Sequence, residues 1–316
     1  MSEGMRYVDG GPFRMGSDQF YPEEAPPRMV RVDGFWIDET PVTNIEFARF
    51  VDATGYRTLA EVAPDPRLYP GMDPALSLAG SLLFQPALGP VDRLDYTQWW
   101  SYRIGTDWRH PHGPASSLAG LVDHPVVHVA FSDAQAYAKW VGKSLPTEAE
   151  WEFAARGGLE GAEFAWGDEL APGGQMLANY WQGVFPHNNT LADGYERTSP
   201  VRTYPANGYG LFDMIGNVWE WSADWYGQPR IERKSRGTCC VPVNPRGGLK
   251  RQSCDPAMLD IPIGRKVVKG GSHLCAANYC QRYRPAARHP QEIDSSTCHI
   301  GFRCIRRARG STSRLL

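Results

Sequence analysis

The sequence predicts an α+β protein with little regular secondary structure, a few helices and small antiparallel sheets, and three observations carry that prediction. Glycine (33) and proline (26) together approach a fifth of the 316 residues, and eleven tryptophans are spread among them. That mixture favours long irregular loops pinned by large aromatic side chains. Three segments carry complete helix start and stop signals. The strand candidates between them are short and do not alternate with helices as a doubly wound parallel sheet requires.

In chain order, Met29 to Ile37 reads as the first strand. Thr43 with Glu46 three residues later forms a capping box that opens a helix over Asn44 to Thr54, and Gly55 stops it. Its apolar residues Phe47, Ala48, Phe50 and Val51 fall on one face. The stretch from Ala63 to Pro114 is rich in Pro, Gly and Asp without a clear period and reads as surface loop. Val126 to Phe131 reads as a strand. Ser132 with Gln135 is expected to open a helix over Asp133 to Val141 that ends at Gly142. Thr147 with Glu150 opens a third over Glu148 to Arg156, stopped by Gly157-Gly158. Val201 to Tyr204, Lys266 to Lys269 and Gly301 to Ile305 are the remaining strand candidates. No internal repeat and no linker divides the chain, so residues 1–316 read as one domain.

Charge and hydropathy narrow the function classes. A formal net charge of -2, with both signs interspersed, argues against nucleic acid as a partner. The basic tail from Arg303 to Arg314 is short and reads as a solvated end. Met1 to Arg14 has no apolar run of the secretory kind, and no later stretch approaches the roughly 20 apolar residues of a membrane span. The expectation is a cytoplasmic protein with no membrane partner.

Seven cysteines, Cys239, Cys240, Cys254, Cys275, Cys280, Cys298 and Cys304, all follow residue 238. An odd number excludes complete intramolecular pairing, and in a reducing compartment such clustering favours metal or redox use. Two well-formed Cys-x-x-Cys knuckles, the mark of a four-cysteine zinc site, are missing. The segment from Lys269 to Arg284 concentrates the chemistry: a Gly270-Gly271 turn, then Cys275 and Cys280 five positions apart among basic and aromatic residues. Thiols at that spacing can hold a soft metal ion, close a short disulfide, or act as a reactive thiol and its resolver.

Several separated blocks carry a family resemblance. Gly10-Gly11-Pro12-Phe13-Arg14-Met15-Gly16-Ser17, Pro41-Val42-Thr43-Asn44, Leu145 to Glu152, Asn207-Gly208-Tyr209-Gly210-Leu211, Gly216 to Trp221 and Gly301-Phe302-Arg303-Cys304 together resemble the sulfatase-modifying-factor superfamily over almost the whole chain. The resemblance implies a C-type-lectin-like fold. That superfamily includes formylglycine-generating enzymes, iron-dependent sulfoxide synthases and inactive relatives. Gly270-Gly271-Ser272 with Cys275 and Cys280, followed by Arg282 to Arg288, resembles the active-site stretch of the formylglycine-generating enzymes. Trp108 to Pro111 with Gly113-Pro114, and Asp123 to Val129, are similar to the same subgroup.

What this resemblance implies is an oxidase that converts a cysteine in a Cys-x-Pro/Ala-Ser-Arg motif of an unfolded sulfatase to Cα-formylglycine with O2. Taking hydrogen from an unactivated Cβ needs a redox cofactor, and paired thiolates select Cu(I) where zinc would have no redox chemistry. By resemblance, Cys275 and Cys280 are the copper ligands, Ser272 and Tyr279 line the oxygen and substrate pocket, and Trp219 forms its apolar wall. Two structural calcium (Ca2+) sites are implied as well: Asn179 and Asp193 with the carbonyls of Tyr180 and Tyr195, and Asp213 and Glu220 with the carbonyls of Gly216 and Val218. Ala155 and Pro285 stand where secreted relatives carry disulfide cysteines, leaving Cys304 without that partner. The segment from Gly237 to Asp260 is unusually long and cysteine-rich, and His299 replaces a common asparagine. The alternatives are an iron enzyme of the sulfoxide-synthase type, whose His-x3-His-x-Glu set is not found, and a non-catalytic binding module on the same fold.

Overall fold

The structure is a computed structural model that describes residues 4–227, 241–258 and 262–307. In chain order the strands are β1 (Met5–Val8), β2 (Gly11–Met15), β3 (Arg28–Val32), β4 (Phe35–Asp38), β5 (Gly80–Phe84), β6 (Trp100–Ile104), β7 (Gly183–Val184), β8 (Asn188–Asn189), β9 (Trp219–Trp225), β10 (Arg265–Lys269), β11 (Arg288–Glu292), β12 (Ile300–Gly301) and β13 (Ile305–Arg307). The α-helices are α1 (Asn44–Thr54), α2 (Phe131–Trp140) and α3 (Glu148–Arg156). Among the described residues no helix is long and apolar enough to cross a membrane.

The sheets are small and mostly antiparallel, as expected. Order β1-β4-β13 joins the two ends of the described chain, and order β11-β10-β9-β12 forms the largest sheet, in which only β12 runs parallel to its neighbour. Three two-stranded ribbons, β2-β3, β5-β6 and β7-β8, complete the set. The main core gathers Phe47, Trp108, Trp151, Trp221, Tyr283 and Phe302, and a smaller cluster of Phe84, Trp99, Trp181, Phe185 and Leu274 lies beside it. Edge-on contacts such as Phe47 with Trp108 (ring centroids 5.2 Å apart) let large rings replace long sheets as the packing element.

Helices α1 and α3 carry the capping boxes that the sequence announces. Thr43 accepts from the Glu46 backbone and Glu46 accepts in return from the Thr43 N–H at 2.8 Å, with Gly55 left-handed at the other end. Thr147 and Glu150 repeat the arrangement. The second helix differs: it starts at Phe131, two residues before the expected start, because Asp133 rather than Gln135 accepts from the cap backbone, the Ala130 N–H, at 2.8 Å.

Other expectations need correction. Met29 to Ile37 is two strands in different sheets, turned at Gly34, where an added Cβ would lie 2.4 Å from the Tyr7 hydroxyl. Val126 to Phe131 is not a strand; its backbone is tied by single bonds, Val126 N–H to the Val42 carbonyl and His128 N–H to that of Thr297. Val201 to Tyr204 is a turn, with Arg202 at φ 68° and its N–H on the Asp213 carboxylate. Within the supposed surface loop from Ala63 to Pro114 lies the β5-β6 hairpin, and Trp99 and Trp108 there are buried. Leu83 and Phe84 face protein, so the polar alternation that marks a half-exposed strand is missing.

Candidate active site

The connection between β10 and β11 holds the two cysteines. Lys269, at the end of β10, is fully buried and anchors this connection through Glu152 (3.1 Å) and the carbonyl of Ala286 (3.3 Å). Gly271 then takes φ 71°, and a Cβ there would sit 2.7 Å from both the Arg282 carbonyl and the Tyr283 nitrogen. Only glycine lets the outgoing chain press against the returning one. Cys275 donates its N–H to the Ser272 carbonyl (2.9 Å), and Tyr279 and Cys280 donate theirs to the Ala276 carbonyl (3.0 and 2.8 Å). This tight winding brings the sulfurs of Cys275 and Cys280 to 3.3 Å. Both are free thiols.

The two thiols are electrically unequal. Burial, and a hydrogen bond with Cys280, push Cys275 well above the ordinary thiol range. The hydrogen bond from Cys275 pulls Cys280 down against its burial, and with help from Arg282 the value falls to about 7. The Arg282 guanidinium reaches Cys280 Sγ at 3.7 Å, is fixed by Glu23 at 2.6 Å, and lies over the Tyr21 ring at 3.8 Å. Tyr21 and Glu23 come from some 260 positions away and no sequence signal pointed to them. Arg282 opens the Arg282 to Arg288 stretch that carries the family resemblance, but the sequence assigned it no role.

Of the predicted neighbours, Tyr279 is half-exposed beside Cys280, its ring stacked on Phe185 (4.5 Å, 8°) and edge-on to Trp99 (5.9 Å). Ser272 is buried and its Oγ accepts from the Leu274 N–H at 3.2 Å, so it shapes the turn that carries Cys275. Trp219 is buried in the same core cluster as Cys275, with its ring 5.7 Å from that of His289. Trp181, which sequence reasoning did not single out, donates its N–H to the Cys275 carbonyl at 3.0 Å and pairs with Ala276. His299 packs against Trp100 at 5.0 Å and bonds to Thr297 Oγ1 at 2.6 Å. Cys298 and Cys304 are buried and free, and burial pushes Cys298 up to about 11. Cys254 is free and half-buried. Cys239 and Cys240 lie outside the described residues.

The first acidic loop is built like an ion site. Asn179 Oδ1 is buried without a hydrogen-bond partner, while its Nδ2 donates to the Arg197 carbonyl at 2.8 Å. Asp193 accepts from the N–H groups of Tyr180 (3.1 Å) and Tyr195 (3.0 Å), and burial raises its carboxyl above the ordinary range. An orphaned oxygen next to such a carboxylate fits a hard cation. The Tyr180 carbonyl currently accepts from the Gln182 amide.

The second loop is occupied differently. Glu220 gives both oxygens to Arg303 (2.8 and 3.0 Å from Nε) and one also to the Trp151 indole (2.8 Å). Asp213 accepts from Arg202 N–H at 2.9 Å, and burial raises it to about 6. An ion among Asp213, Glu220 and the carbonyls of Gly216 and Val218 would have to share Glu220 with a buried guanidinium. Among the described residues no group of three or more His, Cys, Asp or Glu side chains is arranged around a common metal position.

Fold and site together define a loop-rich α+β protein whose largest sheet presents a paired-thiol loop. The chain belongs to the family described as the sulfatase-modifying factor enzyme 1-like domain, whose model matches residues 1–308. It is 54% identical to the formylglycine-generating enzyme of Mycobacterium tuberculosis over 94% of this chain and 96% of that one. The Bos taurus protein of that name is 43% identical over 94% of this chain and 73% of its own length. A Bos taurus relative named inactive C-alpha-formylglycine-generating enzyme 2 is 36% identical over 95% and 87%. Among solved structures, PvdO from Pseudomonas aeruginosa superposes with a TM-score of 0.63 at 21% identity, covering 96% of this chain and 94% of that one, which speaks for the fold alone.

Proposed function

We propose that this protein is a copper-dependent oxidase that converts a cysteine in a Cys-x-Pro/Ala-Ser-Arg motif of an unfolded sulfatase to Cα-formylglycine with O2. The observation that carries the reading is the pair of free thiols 3.3 Å apart, in a chain 54% identical to a formylglycine-generating enzyme. The donor set fits Cu(I): two soft sulfurs, one of them held near neutrality by its surroundings. Bound between Cys275 and Cys280, Cu(I) would supply the one-electron and O2 chemistry that side chains lack.

The remaining work falls to the chain itself. Cys280 is ready to bind as thiolate, whereas Cys275 gives up its proton on metal binding. Arg282 keeps positive charge beside the thiolate, and Glu23 and Tyr21 keep Arg282 in place. The exposed Tyr279 phenol, on the residue before Cys280, would hold or donate a proton beside the reacting sulfur, and Ser272 holds the turn that orients Cys275. Trp219 and Trp181 keep the inner side of the pair dry. Tyr279, exposed and seated on the buried rings of Phe185 and Trp99, offers an aromatic contact for an extended peptide.

A structural calcium at Asn179 and Asp193 belongs to the same proposal, and an ion at the second loop would share Glu220 with Arg303. Free Cys254, Cys275, Cys280, Cys298 and Cys304 suit a reducing compartment, for which we propose the cytoplasm. The deciding experiment loads purified protein with Cu(I), adds a Cys-x-Pro-Ser-Arg peptide, a thiol reductant and O2, and follows mass loss and hydrazide trapping of an aldehyde. Copper-loaded protein that leaves the peptide unchanged would sink the reading.

A further inference from the structure

A groove of about 610 Å³ lies outside the two-thiol site, between the segment 59–76 and the neighbouring ends of β5, β6 and β11. That volume falls within the roughly 300–1,000 Å³ of built ligand sites. Its walls include Leu59, Val62, Leu68, Met72, Leu76 and Leu82, of which Val62, Leu68 and Leu76 are exposed at 47%, 61% and 39%. Exposed apolar side chains gathered in one concavity mark an interaction surface.

Among the described residues acidic groups outnumber basic ones along the groove. Asp255, Glu292 and Asp294 line it together, and the Arg265 guanidinium lies 3.0 Å from Asp255 and is paired across the sheet with Glu292. Asp294 accepts from the Tyr69 phenol. Asp65 is offset by Arg67. The groove is therefore apolar inside and net acidic at its margin, and its complement is an extended polypeptide with apolar side chains flanked by Lys or Arg.

Strand β5 connects this groove to the thiol loop. Leu82 lines the groove; two residues on, about 7 Å along a strand, Phe84 packs on Phe185 at 5.6 Å between centroids. Phe185 stacks on Tyr279 at 4.5 Å. Phe84 and Phe185 are buried, so the link runs beneath the surface and ties the groove to the exposed Tyr279 through one aromatic cluster. We propose that the groove is a second docking site for the unfolded substrate polypeptide, engaging an apolar-basic stretch outside the cysteine motif. This rests on the function proposed above, and the test separates the two.

The first arm measures binding without chemistry. A fluorescein-labelled 15-residue peptide of Leu and Lys, free of cysteine, is titrated by anisotropy against wild type and Val62→Gln/Leu68→Gln. Both changes are at exposed positions. The expected result is about tenfold weaker binding by the variant, and weaker binding again for the Leu/Glu peptide. Equal affinity of both proteins overturns the proposal, as does a concentration-dependent dimer that the variant abolishes, which would assign the groove to a second copy.

The second arm compares turnover of a short cysteine-motif peptide with versions extended on either side by a Leu/Lys segment. One extended peptide is expected to gain about tenfold in kcat/KM with wild type and nothing with the variant, while the short peptide reacts equally with both. Equal gain in both proteins overturns the inference. Wild type inactive on every peptide, yet binding the Leu/Lys probe through the groove, would count against the oxidase reading and leave the docking surface standing.

Discussion

The Sγ atoms of Cys275 and Cys280 stand 3.3 Å apart with no bond between them. The inner thiol is buried and held protonated, while the outer one is drawn to about 7 by its neighbour and Arg282. Brief treatment with iodoacetamide at pH 7 should therefore modify Cys280 before Cys275, Cys298 or Cys304, all three of which are buried. Peptide mapping by mass spectrometry reads the order. Added Cu(I) should protect Cys280, and earlier labelling of Cys275 would contradict the assignment.

Cys275→Ala or Cys280→Ala should abolish turnover and stoichiometric Cu(I) binding while the chain still folds. Copper titration with circular dichroism checks both, and full activity in either variant would remove that residue from the metal site.

Tyr279 tests the role of a phenol separately from that of a ring. Tyr279→Phe keeps the stack on Phe185 and should leave Tm unchanged, yet lose about tenfold or more in kcat if the hydroxyl handles a proton. Unchanged kcat would reduce Tyr279 to an aromatic surface.

For the calcium loop, a chelator should lower the Tm of the wild-type protein, and Asp193→Asn should lower it similarly and remove the chelator effect. Calorimetric titration with Ca2+ counts the ions bound, and no response at Asp193 would discard the first site. One ion in place of two would show that Arg303 already neutralises Glu220 alone.

Glu152 provides a pH signature. Burial raises its carboxyl, but Lys269 and Arg156, helped by the Gly16 N–H at 2.7 Å, pull it down to about 2. A group depressed on folding stabilises above its unfolded value near 4.5 and loses that contribution as pH falls towards 2. Glu152→Gln should thus cost about 3 kcal/mol at pH 7, as for a broken buried pair, and progressively less below pH 4. Denaturant melts at the two pH values read the difference, and an equal deficit at both would contradict it.

Local signals were legible where a few neighbouring residues settle the outcome. The α1 and α3 boxes close within four residues, and the Gly270-Gly271 turn and cysteine spacing marked the loop in which the structure brings two sulfurs to 3.3 Å. The hairpin of β5 and β6 was hidden because both faces of Leu83 and Phe84 meet protein, which erases the alternation a strand normally shows. Helix α2 starts two residues ahead of the expected position because Asp133, which also accepts from the Tyr56 phenol at 3.0 Å, takes the Ala130 N–H.

From the sequence alone came the loop-rich α+β class, two of the three helices at their full bounds, and the five-residue spacing that lets one turn bring two thiols together. Only the tertiary structure decided that Cys280 is the more acidic thiol, that Tyr21 and Glu23 hold Arg282 against it, and that Glu220 pairs with Arg303. Caps and turns are set by backbone hydrogen bonds a few residues long. A thiol's acidity and a carboxylate's partner depend on burial and on charges brought from distant parts of the chain, and sequence spacing carries no record of either.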